Sequence, residues 1–153
     1  MSLTGDDRPA IHEVIALHGH LSDAGTYDRF DEVFTPDLVI DATALGLAPL
    51  PAQDPSRPRL DMYIAAAHRH GPDGPLAHHV TNVIVREDGD GARAWSKGFA
   101  LNQDGSVAGF TYEDQLVRTS QGWRIRRRKV SARREAARGV EPLVLPEEKA
   151  DDQ

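Results

Sequence analysis

Near residue 77 the apolar period of this chain changes from three-and-four to two, and it stays at two for four consecutive runs. The alternating runs are Ala77 to Arg86, Ala92 to Leu101, Val107 to Arg118 and Trp123 to Ser131. They are divided by Asp88-Gly89-Asp90-Gly91, Asn102-Gln103-Asp104-Gly105 and Ser120-Gln121-Gly122, all rich in residues that turn a chain tightly. Consecutive strands with such short connections form an antiparallel meander. Helical patterns precede the strands rather than alternating with them, and no Gly-rich phosphate loop is present, so the fold class is α+β and a nucleotide-binding βαβ fold is excluded.

The first half reads as helices. Ile11, Val14, Ile15, His18 and Leu21 follow one buried helix face, with Pro9 near its start, and this puts His18 on the apolar side. After Ala24-Gly25-Thr26, Thr26 is expected to cap a second helix whose Tyr27, Phe30, Val33 and Phe34 turn inward and which Thr35-Pro36-Asp37 stops. Leu38-Val39-Ile40 has strand character. Gly46, Pro49, Pro51, Pro55 and Pro58 then enforce a long irregular loop, with Ala48 to Pro58 a candidate lid. Leu60 to His68 is helical through Leu60, Tyr63, Ile64 and Ala67, and Gly71-Pro72 ends it.

A chain of 153 residues has room for one core, here assigned to residues 1–132, with a charged tail at 133–153. The absence of cysteine removes disulfides, thiolate nucleophiles and cysteine metal sites, which suits a reducing compartment, so a cytoplasmic location is expected. Asp6 and Asp7 with no apolar segment beside them do not read as a secretory signal, and no stretch is long and apolar enough to cross a bilayer. A formal charge of −6 argues against holding nucleic acid, and the basic run Arg124 to Lys129 lacks the interleaved aromatics of a base-stacking surface. The expected partner is a small molecule, with neither nucleic acid nor membrane.

Histidine is the side chain best suited to moving protons near neutral pH, so the placement of the seven histidines matters more than their number. His12-Glu13 is followed on its helix by His18, six positions on rather than the four a zinc-binding helix needs, and the pairs His18/His20 and His68/His70 diverge on a helix; no metal site is expected. His12, His20, His68 and His70 read as exposed or packed. His78 and His79 open a strand and must take opposite faces: His78 shares its face with Val80, Asn82 and Ile84, His79 with Thr81, Val83 and Val85, so periodicity leaves the inward one open. Asp23 lies just after the helix face bearing His18. By itself it is a helix-end residue, but a carboxylate beside an imidazole fixes its tautomer and stabilises the imidazolium.

The stretch His18, Asp23, Tyr27, Phe30 and Phe34-Thr35-Pro36-Asp37, followed by His78-x-x-x-Asn82, Tyr112-Glu113-Asp114 with Leu116-Val117-Arg118, and Gly122-Trp123-Arg124-Ile125 before Arg128, resembles the SnoaL-like proteins of the nuclear-transport-factor-2-like superfamily. The resemblance runs to about Ser131. It implies a cone-shaped cup of helices on a curved sheet, and its spacing is most similar to the branch with scytalone dehydratase, bile-acid dehydratase and hexachlorocyclohexane dehydrochlorinase. There an Asp–His dyad removes a proton in an elimination without a cofactor. Carried over by position, Asp23 is the orienting acid, His78 the base and Arg128 a pocket arginine for developing negative charge or a leaving group. His18 takes a place usually held by tyrosine or lysine. Strict alternation sets Arg124, Arg126 and Arg128 on one side of their strand and Ile125, Arg127 and Lys129 on the other, and a bulge would change which arginine enters.

Two functions follow as expectations. One is a cofactor-independent lyase or isomerase of dehydratase, dehydrohalogenase or cyclase type acting on a small apolar cyclic substrate, with Tyr27, Phe30, Trp95 and Phe110 as its apolar wall. The other is a non-catalytic small-molecule binding or assembly module of the same fold. The resemblance also implies a homo-oligomer, a dimer first and a trimer second.

Overall fold

The structure, a computed structural model, describes residues 2–45, 56–132 and 145. Helix α1 (Asp7–Asp23) is followed by a 3₁₀ turn (Tyr27–Glu32), strand β1 (Phe34–Asp41), a second 3₁₀ turn (Thr43–Leu45), helix α2 (Arg59–His70), a third 3₁₀ turn (Gly71–Asp73), and strands β2 (Ala77–Asp88), β3 (Gly91–Leu101), β4 (Val107–Thr119) and β5 (Gly122–Ser131). The five strands form one sheet in the order β1-β5-β4-β3-β2. β2 to β5 make the antiparallel meander that the alternating runs require, and β1 adds to β5 in parallel. The turns close through glycines in the left-handed region, Gly105 at φ 83° and Gly122 at φ 100°. Helix α1 packs on β2 and β5, and α2 on β1. Between them and the sheet lie Ile11, Ile15, Leu21, Phe30, Val33, Phe34, Leu38, Leu60, Leu116, Trp123 and Ile125, all buried.

The segment after α1 differs from the pattern reading. Thr26 makes no side-chain cap, the turn it precedes is 3₁₀, and Phe34 already belongs to β1, with Thr35-Pro36-Asp37 inside the strand. A proline is tolerated there because β1 is an edge strand whose pairing with β5 skips from Phe34 to Val39, so no ladder bond calls for the N–H that Pro36 lacks. The candidate lid lies outside the described residues apart from Ser56, Arg57 and Pro58, and the tail from residue 133 lies outside them apart from Leu145. Among the described residues, no helix is long and apolar enough to cross a membrane.

Asp7 anchors the start of α1. Its carboxylate accepts hydrogen bonds from the Thr4 amide at 2.7 Å and hydroxyl at 2.9 Å, from Trp123 Nε1 at 3.0 Å and from Arg118. The Thr4 amide first, then Trp123 and, against the pull of burial, Arg118 hold this carboxyl well below the usual carboxylate range. A depressed carboxyl contributes stability that is complete above its unfolded value of about 3.9 and is lost as pH falls below it. Asp7→Asn is therefore expected to lower the melting temperature at pH 7 and to flatten the acid limb below about pH 4. Thermal melts followed by circular dichroism from pH 3 to 7 check this; equal slopes in both proteins would remove Asp7 as the anchor.

Candidate functional site

Asp23 is the last residue of α1, and its carboxylate reaches the free edge of the sheet at β2. It holds one residue twice. The His78 amide donates to both carboxylate oxygens, at 3.1 and 3.0 Å, and His78 Nδ1 lies 2.6 Å from Oδ1. An ionised carboxylate can only accept, so Nδ1 carries a ring proton, and in the neutral ring Nε2 keeps its lone pair. Both side chains are about 30% exposed, which leaves the imidazole reachable. This proximity depends on Gly19: a Cβ there would stand 3.0 Å from the His78 carbonyl oxygen, so α1 approaches β2 more closely than a larger residue allows.

The question of which histidine turns inward is decided by a bulge. In the β2–β3 pairing Thr81 faces Lys97 and Ile84 faces Trp95, which leaves Asn82 and Val83 against Ser96 alone, and Asn82 takes φ 54°. The extra residue shifts the alternation, so His78 and Val80 share the helix-facing side with Val83 and Val85, in place of the Asn82 and Ile84 that strict alternation names. His79 goes to the other face and stacks on Phe99 with ring centroids 4.8 Å apart.

A second bulge selects the arginine. Gln115 pairs with Arg127 and Leu116 with Ile125, so Arg126 is unmatched; Arg126 and Arg127 are both exposed, and Arg128 falls on the face of Trp123 and Ile125. Its guanidinium, 2% exposed, meets Asp114 in a two-pronged pair, Nε to Oδ1 at 2.7 Å and Nη2 to Oδ2 at 2.8 Å. The Tyr112 ring covers it at 4.6 Å, and a Cβ on Gly98 would come within 2.2 Å of that ring. The remaining nitrogen, Nη1, donates to His18 Nδ1 at 2.9 Å, and His18 Nε2 lies 3.2 Å from the Tyr63 hydroxyl. Burial first, then the charge of Arg128, holds His18 well below the ordinary histidine range. His18 is neutral here. His18, Tyr63 and Tyr112 are all partly buried.

Of the four expected wall residues the structure brings three toward this side. Phe30 is buried edge-on against His18 and stacked on Tyr63, Tyr27 packs on Phe30, and Phe110 lies beside Tyr112. Trp95 does not join them. It alternates with Ala94 and Ser96, and so lies on the opposite face of β3 from Ala92 and Ala94, which meet the helices. Three site residues had no role in the pattern reading: Tyr63, which looked like one more apolar helix position, and Tyr112 and Asp114, whose alternation in a strand opposite Arg128 was the available signal. A hollow of about 280 Å³ along β1, lined among others by Ile40, Asp41, Arg59 and Arg127, includes none of these residues. Among the described residues no three His, Asp or Glu side chains converge as a metal-binding group.

Removing Asp114 would strand a buried guanidinium, and breaking such a pair costs about 3–5 kcal/mol. Asp114→Ala is expected to lose that much in urea unfolding, while Asp114→Leu with Arg128→Met recovers most of it. Losses that simply add in the double variant would mean that the two residues act separately.

The model of the SnoaL-like domain matches residues 4–129. The uncharacterized protein Rv2910c of Mycobacterium tuberculosis is 33% identical over 130 residues, spanning 80% of this chain and 82% of the relative. Among solved structures, the Kfla4162 protein of Kribbella flavida superposes with a TM-score of 0.69 at 24% identity, covering 83% of this chain and 90% of that one. An NTF2-like protein with a cystatin-like fold from Novosphingobium aromaticivorans gives 0.65 at 25% identity over 86% and 85% of the two chains. A scytalone dehydratase-like protein of the same organism gives 0.63 at 16% identity over 92% and 95%, a likeness of fold. With a curved, mostly antiparallel sheet under two helices and a family match over most of its length, this chain belongs to the SnoaL-like domain family and has the NTF2-like fold.

Proposed function

We propose that this protein is a cofactor-independent lyase or isomerase that removes a proton from a carbon of a small, largely apolar cyclic substrate. The observation that carries the reading is the 2.6 Å contact between Asp23 and His78 Nδ1, made by a carboxylate that also holds the His78 backbone. With Nδ1 protonated, Nε2 is the base. It takes the proton from a carbon acidified by a neighbouring carbonyl or leaving group, and Asp23 stabilises the imidazolium that results. Tyr27 and Phe110, backed by the buried Phe30, form the apolar wall that receives the ring. Arg128, with Asp114 on two of its nitrogens and His18 on the third, acts through its neighbours as a positioning residue. Elimination and isomerisation share this first step and differ in whether the carbanion expels a group or is reprotonated elsewhere.

The test is a screen of cyclic alcohols, halides and ketones for turnover, followed by His78→Ala and Asp23→Asn. A positioned general base is worth about 10²–10⁴ in rate, so His78→Ala is expected to lose that factor in kcat and Asp23→Asn a large part of it, with circular dichroism unchanged. Turnover that survives both substitutions would discard the dyad, and ligand binding unaffected by either would favour a binding or assembly module.

Self-association belongs to the same reading. Leu76, Phe99, Leu101 and Val107 are exposed apolar side chains close together at one end of β2 to β4. Phe99→Lys with Val107→Lys is expected to convert a dimer to a monomer in light scattering; a monomeric wild type across micromolar to millimolar concentration would end this part of the reading.

A further inference from the structure

The buried arginine decides more than its own position. A guanidinium has no acceptor, so the nitrogen of His18 that faces Arg128 Nη1 at 2.9 Å must be the unprotonated one. Neutral His18 therefore carries its proton on Nε2 and points it at the Tyr63 oxygen, 3.2 Å away. The reverse tautomer would set two N–H groups against each other across a buried contact. Tyr63 Oη thus accepts from His18, and its own O–H has to point elsewhere; among the described residues no other partner takes it. The Tyr63 side chain is partly buried, beside Phe30 and Phe34, on the side of the fold that holds the dyad.

From this chain of donors we infer that Tyr63 is the group that binds the reacting oxygen of the substrate, with Asp114, Arg128 and His18 fixing the direction of its proton. The inference rests on the dyad reading and deepens it, because it names what the substrate must carry. As His78 Nε2 takes the proton from carbon, the C–H electron pair moves toward a carbonyl oxygen, or toward a carbon–oxygen bond that breaks, and the Tyr63 hydroxyl donates a hydrogen bond to the oxygen where charge gathers. Tyr63 keeps its proton throughout. The proton held by His78 returns to another carbon in an isomerisation, or to the departing hydroxide as water in a dehydration, so the enzyme ends as it began. Burial pushes the Tyr63 phenol up to about 12, so it keeps its proton, and remains a donor, at neutral pH. The substrate class is therefore an enolisable cyclic ketone or a cyclic alcohol, ahead of a halide, since a site built to donate to oxygen discriminates strongly against ligands lacking one.

Two measurements on the full chain test this. In histidine side-chain ¹⁵N spectra at pH 7, His18, assigned by its loss in His18→Asn, is expected to show a protonated Nε2 and a bare Nδ1; a proton on Nδ1 or on both nitrogens overturns the inference. Separately, 2-naphthol is expected to bind at least about tenfold more tightly than naphthalene, and Tyr63→Phe to abolish that difference. Equal affinity of the two probes for the wild type, or a preference that persists in Tyr63→Phe, overturns it. A preference lost in His78→Ala but kept in Tyr63→Phe removes Tyr63 while leaving the dyad reading in place. Loss of turnover in Tyr63→Phe but not in His78→Ala would do the opposite.

Discussion

A guanidinium taken out of water costs several kcal/mol unless its charge is matched and its N–H groups are satisfied, and Arg128 is almost wholly buried. Asp114 supplies the charge and two acceptors, Tyr112 the ring above it, and His18 the last acceptor. Each of these answers constrains a different element: the pairing of β4 with β5, the rotation of α1, and through His18 the seating of α2 at Tyr63. The ion pair is thus less a source of net stability than a specification of how the pieces meet, because this arrangement gives each of the three guanidinium nitrogens an acceptor.

The dyad has a different origin. It stands where α1 ends against an edge strand, and the contact is set by backbone approach. Gly19 lets the helix come down on β2, and Asp23 then bonds the edge amide and the ring of the same residue. On β3 the helix-facing positions Ala92, Ala94, Ser96, Gly98 and Ala100 are all small, so the neighbouring strand's large side chains can lean over them, as Tyr112 does above Gly98. Room at the centre of the sheet and crowding at its rim place two histidines in opposite tautomers. His78 is bound at Nδ1 by an acceptor, His18 at Nδ1 by a donor. One presents a lone pair and the other a proton.

Much of this was legible in the chain. The four alternating runs predicted β2 to β5 to within two residues at each end, because a half-buried strand between tight turns leaves a period that little else produces. The helix patterns located α1 and α2 for the same reason. Asp23 and His78 were identifiable as a pair only through resemblance, since 55 residues separate them. Pro36 misled, because a proline usually ends an element and here sits in an edge strand that asks nothing of its nitrogen.

The sequence by itself determined the class of fold, the strand boundaries and the chemical inventory, since these depend on local periodicity and on which side chains are present. It did not determine which of His78 and His79, or which of the arginines between 124 and 128, would face the helices. Each choice turns on a bulge, at Asn82 in β2 and at Arg126 in β5, and a bulge is a mismatch between two strands that neither strand's own sequence contains. The same holds for Tyr63. Its spacing marks an apolar helix position, and only the meeting of α2, α1 and β5 around a buried charge makes its hydroxyl the end of a chain of donors.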